Sequence, residues 1–268
     1  MKRALSYVTF LDMMFISLIA ISGIFTGILK ELFYYLAFIL PVAMAYPLKK
    51  DNSAHFTPPS FSLSRRSFGF TLLSLPLILA LIFGASFLTS LILSLFSENR
   101  LTDVSGNIIL VIFKNAFLVA VLEEALFRYV PIAFLKPYTK KGAIIFSAAF
   151  FALSHCNLYQ IPYAFLAGVI FAAIDIAADS IWPSVIIHFF NNAASVIWLR
   201  LSGVGSFAVI YISVLIASAV VSAALLFILL RGRKERIYEL FRDGKRLEIS
   251  YGPILFAAMT LLIATLSL

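Results

Sequence analysis

Long apolar segments, separated by short charged clusters, are the feature of this sequence that most restricts its fold. A run of about 20 apolar residues is long enough to cross a bilayer as a helix. Runs of this kind lie near residues 5–28, 32–48, 68–96, 107–134, 142–156, 160–178, 181–199, 205–230 and 252–268. Because backbone groups in lipid must find partners within their own segment, each span is predicted to be helical. We therefore predict an all-α fold, a polytopic transmembrane helical bundle of eight or nine spans, since two of the runs are short.

The composition favours this class of protein over a water-soluble one. Hydrophobic residues make up 62% of the chain and charged residues 13%, whereas a soluble domain has about 45–50% apolar and about 25% charged residues. The apolar part of the first span exceeds the roughly 7–15 residues of a signal-peptide core, so we expect it to remain as a helix. We treat residues 1–268 as a single integral membrane domain with membrane lipids as its surroundings. The single cysteine excludes an internal disulfide and a cysteine-based zinc site.

Lysine and arginine residues are distributed unevenly between the two sides of the predicted bundle. If the N-terminus is cytoplasmic and nine spans alternate, 16 of the 21 basic residues fall in cytoplasmic segments and three on the opposite side. This asymmetry predicts a multi-pass protein with its N-terminus and the 231–250 loop in the cytoplasm, in the plasma membrane if the source is prokaryotic. In that loop Ile237, Leu240 and Phe241 recur at helical spacing among basic residues, so we expect a short cytoplasmic amphipathic helix on the membrane surface, with a solvated basic linker as the alternative. The net charge of +8 does not indicate nucleic-acid binding, because the basic residues separate the spans instead of forming one patch.

Three ionisable residues occur within the fourth span. Each charge near the centre of a bilayer costs on the order of 2.5–3.5 kcal/mol to insert, so such residues indicate a functional site by default. Glu124 and Arg128 are four residues apart, share a helix face and are predicted to pair. Glu123 is rotated by about 100° from Glu124, towards Phe127, and lacks the arginine. Glu123 is therefore the candidate general base that takes a proton from water.

Two later spans contribute further polar groups. Phe151 and His155 share one helix face in the fifth span, and His188 and Asn192 share another in the seventh. At about 1.5 Å of rise per residue, Glu123 and these three polar residues lie roughly 10–20 Å from the cytoplasmic ends of their spans. Each group taken alone has a structural explanation, such as a hydrogen bond between helices. Together they predict one site, because they can meet at a common depth.

Other polar residues of the spans are interpreted structurally. Asp175 and Asp179 are four residues apart near the end of the sixth span, which favours a solvated helix end. Lys114 is expected either to snorkel to the membrane surface or to pair with Asp12 in the first span. Cys156 is expected to be a small packing residue, because no base lies at helical spacing from it.

The three motifs Glu-Glu-x-x-x-Arg, Phe-x-x-x-His and His-x-x-x-Asn occur in this order within about residues 107–199. The ordered set resembles the CPBP family, the CAAX protease and bacteriocin-processing or abortive-infection proteins, which includes the type II CAAX prenyl endopeptidases. The resemblance implies an intramembrane endopeptidase that hydrolyses a peptide bond of a membrane-associated or lipidated peptide or protein, reached from the membrane. It further implies that Glu123 and His155 activate the hydrolytic water, and that His188 and Asn192 stabilise the oxyanion.

The resemblance also implies supporting roles for three residues around the catalytic ones: Glu124, Arg128 and Phe151. The Glu–Arg pair would hold the helix and balance the charge of the cavity, and the phenylalanine would be a packing element. No tightly bound cofactor is expected, because the chain has no His-Glu-x-x-His run and one glutamate cannot easily act both as ligand and as base. The alternative is zinc, with Glu123, His155 and His188 as its ligands.

Two other functions remain as alternatives. A non-catalytic membrane scaffold or bacteriocin-immunity protein would keep the same fold without turnover, although this gives no reason for every catalytic position to be filled. A transporter would use the buried charges as an ion path. It would be expected to contain paired helices broken by glycine or proline in its two halves, and the sequence does not show them. An endopeptidase is therefore the main prediction, and the motifs do not specify whether its substrate is prenylated.

Overall fold

The computed structural model describes residues 1–51, 56–95 and 104–233, and eleven further positions between 235 and 261. Helices account for the regular secondary structure of these residues, apart from one isolated β-bridge between Ser60 and Ser180. Seven helices within the described ranges are α-helical throughout: α1 Lys2–Ser22, α2 Gly27–Asp51, α3 Arg65–Leu93, α5 Lys140–Ser154, α6 Ile161–Ala178, α7 Trp182–Leu201 and α8 Phe207–Leu230. The predicted all-helical fold is confirmed for this part of the chain.

The remaining helix, α4, runs from Ile108 to Leu135 and contains two π-helical segments between α-helical ones. Its α-helical and π-helical segments alternate in the order Ile108–Ile112 (α), Phe113–Leu118 (π), Val119–Glu124 (α), Ala125–Tyr129 (π) and Val130–Leu135 (α). The residues at the junctions keep right-handed helical backbone angles, so the helix is continuous. Short π-helical turns inside α-helices are frequent at functional sites.

The first eight predicted spans coincide with α1 to α8. Five of these helices are long and apolar enough to cross a membrane by length and composition: α1, α2, α3, α6 and α8. α5 has only 15 residues, and α7 contains His188, Asn191 and Asn192, which lower its mean hydropathy. The total of eight or nine spans therefore stays a prediction. The ninth span at 252–268 and the amphipathic helix at 231–250 lie mostly outside the described residues.

The helices pack as neighbours along the chain and as long-range pairs. α1 packs on α2, α5 packs on α6, α3 packs on α8, and α4 packs on α7. Buried aromatic side chains fill the space between α1, α2, α4 and α5: Phe15, Phe38, Phe127, Phe134, Phe150 and Phe151. The contact of α4 with α7 brings the glutamate motif of one helix next to the histidine motif of the other.

A glycine allows α5 and α6 to approach each other closely. A Cβ atom on Gly168 would lie 2.8 Å from the Cα atom of Ala148, which is closer than such atoms pack. Small residues at such contacts are typical of helix pairs in membranes, where van der Waals packing drives association. The contact fixes α5, whose C-cap residue is His155, relative to α6.

The loops at each end of the bundle are connected by hydrogen bonds. At one end the Ser60 N–H donates to the Asp179 carbonyl over 3.0 Å, and Lys136 Nζ lies 2.7 Å from the Asp179 carboxylate. At the other end the Arg200 guanidinium donates to the carbonyl of Gly106 over 2.7 Å. The described residues 56–64 of the predicted 49–67 loop, and the 135–141 and 179–180 loops, are predicted on one side of the membrane and share one end of the bundle.

Two interpretations of polar residues in the spans are wrong. Asp175 does not lie at a solvated helix end but is 0% exposed, because it sits one turn inside α6 and faces the start of α7. Asp179, which follows α6 in a left-handed conformation, is the exposed one. Lys114 lies 4.0 Å from Glu31 and pairs with it rather than with Asp12, which is buried in α1.

Candidate active site

The α4 helix contributes a buried ion pair to the site. Arg128 Nε lies 3.2 Å from Glu124 Oε2, and both side chains are fully buried. Glu124 ends an α-helical segment and Arg128 lies in the π-helical segment that follows it. The pairing predicted from their spacing is therefore confirmed.

His188 on α7 lies between the two glutamates of α4. Its Nδ1 is 2.7 Å from Glu124 Oε1, and its Nε2 is 3.5 Å from Glu123 Oε2. A carboxylate accepts hydrogen bonds, so the short contact assigns a proton to Nδ1. A carboxylate that holds one nitrogen of an imidazole fixes the orientation of the ring and directs its other nitrogen. Glu124 therefore orients His188, and His188 presents Nε2 to Glu123.

Exposure separates the two glutamates. The Glu123 side chain is 15% exposed and the Glu124 side chain is 0% exposed. Glu123 is thus the carboxylate of this pair that keeps accessible surface. This difference fits the roles predicted for them, a general base and a structural partner.

His155 lies at the end of α5 and is linked to the site through an aromatic ring. Its Nδ1 is 2.8 Å from the carbonyl of Phe151. A carbonyl only accepts, so Nδ1 carries the proton in this bond and Nε2 is left as an acceptor. The Phe151 ring packs edge-on against both imidazoles, with centroid distances of 4.9 Å to His155 and 5.7 Å to His188. Among the described residues, no hydrogen bond or ion pair joins His155 directly to Glu123.

Asn192 lies one turn after His188 on α7 and contacts an earlier part of α4 than His188 does. Its Nδ2 donates over 3.4 Å to the carbonyl of Asn115, which lies in the first π-helical segment. Its Oδ1 accepts from Asn191 over 3.4 Å. The structure therefore joins Glu123 and His188 directly, and brings Asn192 to the same helix pair without a direct contact to Glu123.

Two aromatic rings enclose the buried guanidinium. The central carbon of Arg128 lies 4.3 Å from the Phe151 centroid and 5.6 Å from the Phe171 centroid. The Phe171 ring also lies 5.6 Å from the His188 ring. Cation–π contacts of this kind stabilise a desolvated cation. Phe151, predicted as a packing residue, thus contacts three polar residues of the site: Arg128, His155 and His188. The sequence does not predict a role for Phe171, because one more aromatic residue in an apolar helix does not stand out from its neighbours.

A third carboxylate lies behind His188. Asp175 on α6 accepts from the Ser184 N–H over 3.0 Å and from the Ser184 hydroxyl over 2.6 Å. It is also within electrostatic range of Glu124 and Arg128. A carboxylate inside an apolar span is a signal of function in membrane proteins. The sequence carries this signal, because Asp175 lies inside an apolar span, but its spacing from Asp179 near the helix end favours a solvated position that its burial contradicts.

The predicted zinc alternative does not fit the arrangement of the donors. Zinc sites need at least three converging protein ligands, and the described residues contain no such group of histidine, cysteine, aspartate or glutamate side chains. Both nitrogens of His188 face carboxylates, and one nitrogen of His155 is bonded to a carbonyl. No catalytic step is therefore derived through a metal.

An apolar groove of about 480 Å³ lies near the junction of α5 and α6. It is lined by small and aliphatic side chains and one aromatic ring: Ala149, Ala152, Leu153, Ile161, Pro162 and Phe165. None of the predicted catalytic residues lines it. The groove is therefore separate from the Glu123–His188 contact.

The apolar helices and the buried cluster of glutamates, arginine and histidine define an integral membrane protein with an ionisable site inside its helical bundle. Residues 105–194, about a third of the chain, match the family model described as Type II CAAX prenyl endopeptidase Rce1-like. This part of the chain is similar to that family, and the match agrees with the resemblance found in the motifs. No curated protein and no solved structure matches the chain. The family match supports a CAAX-type intramembrane endopeptidase, and hence a hydrolase, as the general class of activity.

Proposed function

We propose that this protein hydrolyses a peptide bond of a membrane-associated or lipidated peptide or protein, with Glu123 as the base that activates water. The observation that carries the proposal is the contact of the partly exposed Glu123 with His188, whose ring is held by Glu124. A carboxylate with accessible surface stands beside an imidazole that is held at its other nitrogen. This pairing lies inside the stretch that is similar to a peptidase family.

The proposed reaction begins with proton transfer from water to Glu123. The resulting hydroxide attacks the carbonyl carbon of the peptide, and the proton held by Glu123 passes to the leaving amine nitrogen as the C–N bond breaks. The free Nε2 of His155 accepts a hydrogen bond from the attacking water. General acid–base catalysis of this kind contributes about 10²–10⁴-fold to a rate.

Stabilisation of the oxyanion is assigned to α7. A His188 ring protonated on both nitrogens donates through Nε2, while its Nδ1 stays bonded to Glu124. The Asn192 amide has two N–H groups, one of which donates to the Asn115 carbonyl, so the second is the proposed donor to the substrate. Donors held in place in a site of low dielectric constant stabilise developing charge strongly.

The test compares the full-length wild type with Glu123→Gln on a panel of prenylated and unmodified membrane peptides. We expect Glu123→Gln to lower kcat/KM by about 10²–10⁴-fold, because glutamine cannot take the proton. Glu31→Gln is the matched control, since this glutamate is exposed on α2 and pairs with Lys114. His155→Ala is expected to lose activity as well.

Three outcomes of this assay would count against parts of the proposal. Undiminished cleavage by Glu123→Gln would contradict the mechanism. No cleavage of any peptide by the wild type would favour a non-catalytic scaffold or immunity protein. Full loss of activity with a chelator, restored by zinc, would establish the zinc alternative, whereas activity retained in the chelator would support the metal-free reaction.

A further inference from the structure

At the start of α7, a side chain from the adjacent sequence caps only the first N–H: the Ser180 hydroxyl oxygen accepts from the Trp182 N–H over 3.3 Å. The residue before the helix, Ile181, has no side-chain acceptor, and Pro183 has no N–H. The next N–H, that of Ser184, lies in the first helical turn, where no carbonyl of the same helix is available to it. Ser184 is fully buried, so an unpaired N–H there would be strongly unfavourable.

Asp175 of the preceding helix supplies the missing acceptor. One carboxylate oxygen accepts from the Ser184 N–H and the other from its hydroxyl. Capping side chains normally come from the residue that precedes the helix. Here the cap comes from a neighbouring helix.

This cap acts on the turn that precedes the candidate active site. Ser184 and His188 are four residues apart on α7 and therefore share one face. His188 is held by Glu124 at one nitrogen, and the rotation of α7 about its axis is held one turn earlier by the contact of Asp175 with Ser184. A rotation of α7 would move the His188 ring away from both glutamates.

We propose that Asp175 is a positioning residue that caps α7 and thereby keeps His188 between Glu123 and Glu124. Asp175 lies outside the three sequence motifs and touches none of the predicted catalytic residues through a hydrogen bond. The expected effect of Asp175 on turnover rests on the proposed function. Its expected effect on the orientation of the His188 ring is independent of that function.

The decisive variants separate the hydrogen bonds of Asp175 from its charge. Asp175→Ala removes both acceptors. Asp175→Asn keeps an oxygen for the Ser184 N–H, and its amide donates to the Ser184 oxygen, whose own proton has the Ile181 carbonyl as an acceptor at 2.9 Å. Ser184→Ala removes the hydroxyl, which also contacts the Ile181 carbonyl and interacts with Glu124, but it keeps the N–H bond to Asp175.

The first readout is the ring ¹⁵N and N–H signals of His188 in the purified, ¹⁵N-histidine-labelled protein, which has three histidines. We expect Asp175→Ala to remove or shift the Nδ1–H signal of His188, Ser184→Ala to shift it less, and Asp175→Asn to retain it. The matched controls are Asp179→Asn on the same helix end and Ser195→Ala on α7, whose hydroxyl bonds to the Asn191 carbonyl. An unchanged His188 signal in folded Asp175→Ala would overturn the proposal. Loss of the signal in Asp175→Asn, which keeps both hydrogen bonds, would also overturn it, and this variant decides if Asp175→Ala does not fold.

The second readout is kinetic and uses a peptide that the wild type cleaves. We expect Asp175→Ala to lower kcat by about 10- to 100-fold with KM changed less than about threefold, because a displaced group slows chemistry more than binding. Asp175→Asn is expected to stay within about threefold of the wild type. A loss in Asp175→Asn as large as in Asp175→Ala would contradict capping. If the wild type cleaves no peptide, the proposed function fails and the His188 signal alone decides the role of Asp175.

Discussion

Glu123 and Glu124 are neighbours in the chain, but a helical turn of about 100° gives them different surroundings. Glu124 is fully buried and touches both Arg128 and His188. Glu123 keeps part of its surface exposed and faces the other nitrogen of His188. A carboxylate paired with a buried cation holds that cation in place, whereas a carboxylate open to water exchanges protons. The two adjacent residues are therefore expected to affect different properties of the protein.

Glu124→Gln is expected to lower stability far more than Glu123→Gln. The first substitution leaves the Arg128 guanidinium buried without its carboxylate, which costs about 3–5 kcal/mol. The second removes a partly exposed charge and is expected to change the free energy of unfolding by less than about 1 kcal/mol. Thermal or denaturant unfolding of both variants in one detergent measures this. Equal destabilisation of the two variants would show that Glu124 has no special structural role.

At the scale of elements, the sequence predicted the positions of the helices well, but it did not predict where the hydrogen bonding within a helix changes from α to π. Hydrophobic length predicts a span regardless of its neighbours, and the first eight predicted spans correspond to helices. The pairing of Glu124 with Arg128 was likewise predictable, since it depends on local spacing. The two π-helical segments of α4 were not, because a change of register carries no signature in the hydrophobic pattern.

The features of the site that the sequence did not predict depend on contacts between different helices. The hydrogen bond of His188 with Glu124 joins residues 64 positions apart. The sequence supported a common depth for these groups but not which nitrogen meets which carboxylate. The burial of Asp175 depends on the position of Ser184, which only the packing of α6 against α7 determines.

The contact of α5 with α6 provides a test at this scale. Gly168→Ala would bring a Cβ atom to 2.8 Å from the Ala148 Cα atom, so the helices must separate. We expect a loss of about 1–3 kcal/mol in the free energy of unfolding. Activity should also fall, because α5 carries Phe151 and α6 carries Phe171 beside the buried arginine.

The control for this variant is Gly84→Ala on α3. A Cβ atom at Gly84 would meet nothing within 4 Å, and alanine favours a helix over glycine by up to about 1 kcal/mol. Gly84→Ala is therefore expected to leave stability unchanged or slightly higher. If Gly168→Ala were equally neutral in unfolding and activity assays, the close approach of α5 and α6 would not matter for the site.

At the scale of the whole molecule, the contacts between loops place them at two ends of the bundle. This agrees with the topology inferred from charge, in which successive spans cross the membrane in opposite directions. The loop that contains Ser60 is bonded to the loop after α6, and Lys136 pairs with Asp179 there. Arg200 is bonded to the segment before α4 at the opposite end. The structure thus groups the loops into two sets, and the excess of basic residues predicts that the set with Ser60 faces the cytoplasm.

Cysteine labelling can decide this orientation, because the chain contains a single cysteine, Cys156. In a Cys156→Ser background, Ser62→Cys and Gly203→Cys place one exposed thiol at each end of the bundle. The Gly203 site accepts a side chain, since a Cβ atom there meets nothing within 4 Å. With a membrane-impermeant maleimide on sealed right-side-out vesicles, we expect Gly203→Cys to react at once and Ser62→Cys only after permeabilisation. The reverse pattern would invert the predicted orientation, and labelling of both from one side would contradict the alternation of spans on which the charge argument depends.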